Sequence, residues 1–247
     1  MIFYFSGTGN SLVAARRLAV RGERLVDMAA ARNNREFRYE VKKGEKVGFV
    51  FPVYWYTVGD VVMDFVRHLE LTGQRYVYAV ITCGGGIGFA GGVLSHELKK
   101  RGIRLHCVFP LLMPDDTIYY YDIGPQEKIE KRLADSEVRL GNLWEEISCG
   151  RIRRRGFIFA FLGYPLRAMY HLAGGTKKFR ATNRCVGCGK CAAFCPDHAI
   201  ELRNGKPVWT KSRCTKCSGC INRCPMQAIE YGRGTEGRLR YHHPEVK

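Results

Sequence analysis

Two copies of one segment, RCVGCGKCAAFCPDHAIEL from Arg184 and RCTKCSGCINRCPMQAIEY from Arg213, stand 29 residues apart. Arg-Cys, four cysteines, a proline and Ala-Ile-Glu recur in step, and each copy reads C-x2-C-x2-C-x3-C-P. Eight of the eleven cysteines fall between Cys185 and Cys224. A stretch this short cannot bury a sizeable apolar core, so its fold has to be organised by those cysteines. Between the copies, NGKPVW places Asn204-Gly205 as a two-residue hairpin turn. Met1-Ile2-Phe3-Tyr4-Phe5 shows neither a basic leader nor a cleavage site, and no run approaches about 20 uninterrupted apolar residues. The expected address is the cytoplasm, where disulfides are disfavoured. The eight cysteines are therefore expected to bind metal; Cys83, Cys107 and Cys149 are scattered and ordinary.

Three closely spaced cysteines can wrap one corner of an iron–sulfur cubane, each thiolate reaching a different iron. Zinc sites use separated pairs, which a tight triplet matches poorly. On this pattern, residues 184–231 resemble a bacterial two-cluster ferredoxin. The resemblance implies two [4Fe–4S] clusters with crossed ligation. Cys185, Cys188, Cys191 and Cys224 would hold one; Cys214, Cys217, Cys220 and Cys195 would hold the other. It also implies one-electron exchange with protein partners and a fold that depends on its metal.

Residues 1–148 read as alternating strands and helices. Strands are predicted at Ile2–Phe5, Lys46–Phe51, Tyr76–Thr82 and Leu105–Pro110, with a further one at Arg24–Met28. Helices are predicted at Asn10–Arg21, Gly59–Leu71, Ala90–Arg101 and Gln126–Ile147. The alternation points to an α/β fold with a parallel sheet covered on both faces.

The first strand leads into SGTGNS. No Walker lysine follows, and Leu12 stands where a dinucleotide fingerprint needs its third glycine. What remains is a loop of Ser6, Gly7, Thr8, Gly9, Asn10 and Ser11 at a helix start, where backbone N–H groups and the helix dipole favour an anion. Ser6, Thr8, Asn10 and Ser11 could donate to a phosphate; a plain turn with Asn10 or Ser11 as N-cap is the alternative. Two later loops lie where strands of a doubly wound sheet end. They are FPVYWY, with Pro52, Val53, Tyr54 and Trp55, and TCGGG, with Thr82, Cys83, Gly84, Gly85 and Gly86.

Together these resemble the flavodoxin family over residues 1–148, with a doubly wound parallel sheet. The resemblance implies FMN, its phosphate in Ser6–Ser11 and its ring gripped by Pro52–Tyr56 and Thr82–Gly85. Tyr54 or Trp55 would stack on the ring, and the glycines would let a peptide reorient against its edge. Cys83 would contribute only backbone. LLMPDDTIYYY (Leu111–Tyr121) is a candidate for closing over the pocket. Two departures stand out: the chain is strongly basic where flavodoxins are acidic, and YTVGDVV lacks their acidic flavin-edge loop.

Residues 149–183 form a connector between this part and the small α+β domain at 184–247, which includes a C-terminal tail. From Gly150 to Arg184 there are nine Lys/Arg and no acid. A helix-containing linker packed on the first domain is expected, with a peripheral membrane contact as the alternative. The whole chain thus resembles the EFR-type flavodoxin–ferredoxin fusions of anaerobic bacteria.

FMN beside two clusters implies an electron-transfer protein coupling one- and two-electron partners. The alternative is an FMN-dependent reductase of a small unsaturated acceptor, quinone- or tetrapyrrole-like. No general acid is identifiable; Tyr119, Tyr120, Tyr121 and His171 are candidates in name only. The net charge of +17 suits redox proteins with acidic docking surfaces. Nucleic acid is not expected, since no helix-turn-helix or zinc-finger pattern occurs.

Overall fold

A computed structural model of the chain describes residues 1–20, 22–73, 76–152, 160–173 and 175–246. Arg21, at the end of the first predicted helix, and Arg153, Arg154 and Arg155 of the basic cluster lie outside the described residues. In chain order the elements are β1 (Ile2–Tyr4), α1 (Asn10–Leu18), β2 (Leu25–Asp27), α2 (Met28–Asn33), β3 (Arg38–Glu40), β4 (Lys46–Tyr54), β5 (Thr57–Val58), α3 (Asp60–His68), β6 (Glu70–Thr72), β7 (Tyr76–Cys83), α4 (Ala90–Lys100), β8 (Cys107–Leu112) and α5 (Gln126–Ser148). After these come α6 (Ala160–Ala173), β9 (Phe179–Ala181), α7 (Lys190–Ala193), β10 (Ile200–Arg203), β11 (Lys206–Trp209), α8 (Gly219–Asn222) and β12 (Ile229–Tyr231).

The main sheet runs β2-β1-β4-β7-β8 with all four pairings parallel. Counting only these five strands in sequence order gives 2-1-3-4-5, the flavodoxin-like order. β4 and β7 sit centrally and are covered on both faces, which is why KVGFVFPVY and YVYAVITC are almost wholly apolar. Strand periodicity sends alternate residues to opposite faces. Phe3, Phe49, Phe51 and Ile81 pack under α2, α3 and α4; Ile2, Val50, Val80 and Phe109 pack under α1 and α5.

β4 runs on to Tyr54 and turns back through Trp55 and Tyr56 into antiparallel β5. Pro52–Tyr54 is therefore strand rather than loop, a correction to the reading of FPVYWY. Pattern reading also passed over α2 and the parallel pair β3–β6. α2 is short and is started by Asp27, whose carboxylate accepts from the Ala29 and Ala30 N–H groups.

The C-terminal module is a β9–β12 ladder and a β10–β11 hairpin around α7 and α8. The hairpin turns at Asn204-Gly205, both in the left-handed region (φ 50° and 72°), as an Asn-Gly turn requires. Its core is shared with the first part of the chain: Ile118, Tyr119, Ile123 and Ile129 pack with Phe179, Ile221, Ile229 and Tyr241. The last residues then return to the first domain. Tyr241 Oη donates to Asn10 Oδ1 at 2.6 Å, and the His243 N–H donates to the Thr8 carbonyl at 2.8 Å.

α6 lies on α4 and β5. A Cβ on Gly163 would stand 2.4 Å from Val93, so only glycine permits this approach. Arg167 reaches the Val58 carbonyl and Asp60, Tyr164 reaches Glu97, and Tyr170 reaches the Thr215 carbonyl. Among the described residues no helix is long and apolar enough to cross a membrane.

Candidate functional site

An open cleft lies just beyond the C-terminal end of the β1–β4 pairing. This is the reversal point of the strand order, where doubly wound sheets take their ligands. Ser6, Gly7, Thr8, Asn10, Ser11, Pro52, Val53, Trp55, Thr82, Cys83, Gly84 and Gly85 all line it. Two expected residues lie elsewhere. Gly9 faces His243 and Val246. Tyr54 turns toward Tyr170, with ring centroids 6.2 Å apart. Of the two rings expected to stack, Trp55 is the one on the cleft, held edge-on to Tyr120 at 5.8 Å.

Gly9 opens α1 at φ 107°, a conformation only glycine adopts easily, and its N–H donates to Ser6 Oγ at 3.1 Å. The loop side chains have partners of their own. Asn10 Nδ2 donates to the Pro114 carbonyl at 2.9 Å; Ser11 Oγ and Thr82 Oγ1 are 2.7 Å apart. Thr8 Oγ1 donates to Asp116 Oδ2 at 2.5 Å. The expectation that all four side chains would be free for a phosphate thus needs revising. What the loop offers an anion is chiefly the N–H groups opening α1, at Asn10, Ser11 and Leu12, which have no acceptor within the helix.

Asp116 is the residue that pattern reading missed. Burial, and then the neighbouring Asp115 carboxylate, push its carboxyl up to about 7 against the lowering effect of the Thr8 bond. Only the run Leu111–Tyr121 pointed toward it. Met113–Thr117, Tyr120 and Tyr121 form one wall of the cleft. Asp115 accepts from Tyr121 Oη at 2.7 Å and lies 2.3 Å from where a Gly84 Cβ would be. Gly84 is further held by Arg132, which donates to its carbonyl at 3.1 Å. Gly85 and Gly86 face open space. The Cys83 thiol donates to the Leu111 carbonyl at 3.8 Å, and burial pushes it up to about 11, so it is no nucleophile at neutral pH. Of the remaining candidates, Tyr119 is buried in the shared core, and His171 stands beside Asp60 and Arg167, away from the cleft.

The cysteine repeat is also a structural repeat. Gly187, Gly189 and His198 in the first copy have φ near 70°, 74° and 46°; Lys216, Ser218 and Gln227 match them at 52°, 60° and 45°. The Ala199 N–H reaches Cys195 Sγ at 3.2 Å, and the Ala228 N–H reaches Cys224 Sγ at 3.3 Å. One hollow is lined by Cys185, Cys188, Cys191 and Cys224. A second is lined by Cys195, Cys214, Cys217 and Cys220. Cys220 also borders the first. Each gathers the cysteine triplet of one copy with the C-P cysteine of the other and is walled largely by apolar side chains, a donor set that a four-thiolate cubane fits. Burial pushes the Cys214 thiol up to about 11 and raises Cys191, Cys217 and Cys220 as well. Bare, these stay protonated; a metal is what would hold them as thiolates.

The two hollows are not equivalent. Cys188 of the first is exposed, whereas the second is covered by the first domain. Lys216, only 8% exposed, takes the place that Gly187 has in the other copy. Its Nζ lies 4.2, 5.1 and 5.5 Å from the ring centres of Tyr231, Tyr119 and Tyr120. The cation is thus held by π faces beside the second hollow.

Cleft and second hollow share a wall. A Cβ on Gly7 would stand 1.9 Å from the Cys217 carbonyl oxygen, and one on Gly219 would stand 2.9 Å from the Gly7 carbonyl. Asn222 Nδ2 donates to the Asp116 carbonyl at 3.0 Å.

Residues 177–234 match the family described as a 4Fe–4S dicluster domain. Among solved structures, the chain is similar to azoreductase AzrA at 10% identity and a TM-score of 0.37, covering 59% of this chain and 99% of that one. It is also similar to the Trp repressor binding protein from Bacillus subtilis at 13% identity and a TM-score of 0.31, covering 55% and 95%. No curated protein sequence matches the chain.

Proposed function

We propose that this protein is an electron-transfer iron–sulfur flavoprotein of the EFR-type flavodoxin–ferredoxin kind. It would couple one- and two-electron redox partners through FMN and two [4Fe–4S] clusters. When bound, FMN supplies two-electron chemistry and each cluster one-electron chemistry. The observation that carries this is the Gly7–Cys217 contact, which makes the anion loop and a cluster ligand immediate neighbours. Joining the two sites in one rigid wall fixes their separation and replaces diffusional encounter by proximity.

The chain's own residues have distinct tasks. The N–H groups opening α1 would receive the phosphate, and Trp55, Tyr120 and Gly84–Gly86 would border the ring. Cys185, Cys188, Cys191 and Cys224 would hold the outer cluster; Cys195, Cys214, Cys217 and Cys220 would hold the inner one. The apolar walls and the covering first domain shield the inner site from water, while the outer site meets solvent at Cys188. Exposed Cys188 marks the outer site as the side open to a protein partner, and the basic surface favours an acidic one in the cytoplasm.

Anaerobic purification with iron, sulfide and extracted-flavin counts tests the cofactor set. Zinc in place of iron, or a flavin-free protein that does not take up FMN, would overturn it. Cys188→Ala tests the relay: flavin reduction by a ferredoxin-type donor should slow markedly while FMN stays bound. A second reading, reduction of a small unsaturated acceptor, is favoured by the open cleft and its exposed Tyr120 and Tyr121 rim. Turnover with free quinones and no protein acceptor would decide for it.

A further inference from the structure

The turn of the anion loop is held by the far end of the chain. Tyr241 Oη donates to Asn10 Oδ1 at 2.6 Å, and the His243 N–H donates to the Thr8 carbonyl at 2.8 Å. Gly9, between them, faces the side chains of His243 and Val246. The other end of the Asn10 side chain is taken as well, its Nδ2 donating to the Pro114 carbonyl. The loop that presents the N–H groups of α1 to an anion is therefore set in place by the tail as much as by its own turn.

The tail in its turn is fixed by the cysteine module. Arg240 Nη2 donates to Glu230 Oε2 on β12 at 2.6 Å. Asn222, on α8, makes two bonds at once: its Oδ1 accepts from the Tyr241 N–H at 3.1 Å, and its Nδ2 donates to the Asp116 carbonyl at 3.0 Å. One side chain thus ties the tail to the cleft wall whose Asp116 accepts the Thr8 hydroxyl. Asn222 and Tyr241 are only 2% and 4% exposed, so water cannot replace these bonds without opening the packing. α8 is four residues long, far short of a helix that stands alone. Its place is set by Cys220 within it and Cys224 just after it, which line opposite hollows.

We propose that Asn222 and Tyr241 are positioning residues that couple the two sites, on the FMN reading of the cleft: ligation of Cys220 and Cys224 fixes α8, and α8 fixes the anion loop in its phosphate-receiving form.

A preformed loop binds more tightly than one its ligand must order. Coupling of this kind is reciprocal, so what the module contributes to phosphate affinity a bound phosphate returns to the module. The tail touches the cleft at its phosphate end, at Thr8, Gly9 and Asn10, whereas Trp55 and Gly84–Gly86 border the ring. Riboflavin, which has the ring and no phosphate, is therefore the control. The flavin site is thus completed only in chains whose cysteine module is already built.

The test uses full-length protein loaded anaerobically with clusters, its iron and sulfide counted, and stripped of flavin. Dissociation constants for FMN and riboflavin are read from quenching of flavin fluorescence. Tyr241→Phe removes one buried hydrogen bond and should weaken FMN about fivefold while leaving riboflavin within about twofold. Asn222→Ala removes two and should weaken FMN about tenfold or more. If that variant fails to take up iron, Tyr241→Phe decides alone. In the other direction, saturating FMN should slow the loss of iron from the parent to a chelator about threefold or more, and riboflavin should not. Variants that bind FMN as the parent does, or that lose affinity for both flavins equally, would overturn the coupling and leave the FMN reading standing. So would iron loss that FMN does not slow. A parent that binds neither flavin, or binds riboflavin as tightly as FMN, would overturn the reading of the cleft and the coupling with it.

Discussion

On the proposed reading of the cleft as an FMN site, Asp116 makes the affinity depend on pH in a direction that can be worked out in advance. Its carboxyl titrates at about 7 and is hydrogen-bonded to Thr8 on the anion loop. A bound phosphate adds negative charge beside it and favours the protonated carboxyl. Binding then takes up a proton wherever Asp116 is ionised in the flavin-free protein. Affinity should be level below pH 7, where the proton is already present, and fall about tenfold per pH unit above it. Between pH 7 and 9 that amounts to about 50-fold, or ~2.3 kcal/mol. The phosphate's own second ionisation, near pH 6, lies below this window. Asp116→Asn keeps a hydrogen-bonding partner for Thr8 but cannot ionise. It should bind FMN within about twofold of the parent at pH 7, hold that affinity to pH 9, and there exceed the parent about 100-fold. The assay is quenching of FMN fluorescence on titration with anaerobically prepared, flavin-free protein at a series of pH values. A parent dissociation constant that stays level from pH 7 to 9 would refute the linkage. So would a variant that retains the slope.

Three other outcomes follow from the same geometry. Gly7→Ala would drive a methyl into the Cys217 carbonyl; a loss of about 1–3 kcal/mol, read as a lower melting temperature, is expected. An unchanged melt would show that the two modules do not press on each other there. Lys216→Met removes the cation beside the inner hollow only, so in a redox titration followed by EPR one cluster should fall by on the order of 50 mV while the other stays put. Equal shifts in both, or none, would contradict that asymmetry. Glu97 is buried, yet hydrogen bonds from Lys100, Tyr164 and Arg67 outweigh its desolvation and hold its carboxyl down at about 2. Its stabilising contribution is full above pH 4.5 and is lost as pH falls toward 2, and Glu97→Gln should flatten that part of the acid melting curve.

Much of the architecture was legible along the chain because it depends on local periodicity. Buried parallel strands must be apolar throughout, and Phe49–Phe51 and Val77–Ile81 are. Metal ligands must recur at fixed spacing, and C-x2-C-x2-C-x3-C-P does so twice. The turn at Asn204-Gly205 was equally readable, since few dipeptides suit two successive left-handed residues. The strand end after Phe51 was not. Trp55 and Tyr56 occupy left-handed backbone without glycine, φ 48° and 57°, and give no local turn signal.

The sequence by itself determined the sheet class, the strand–loop–helix start at Ser6–Ser11 and the spacing of the eight thiols, because each is a property of neighbouring residues. Tertiary structure alone decided that Asp116 meets Thr8, that Tyr241 returns to Asn10 and that Gly7 touches Cys217. These pairs are more than 100 residues apart, and no spacing rule links them. It also decided which side of α6 faces outward. A stripe of Phe, Leu and Met reads as core until packing of the opposite face leaves Leu162, Met169 and Leu172 exposed. Long-range proximity and solvent exposure are properties of the packed chain, and here they set how the site is charged and what surface it offers.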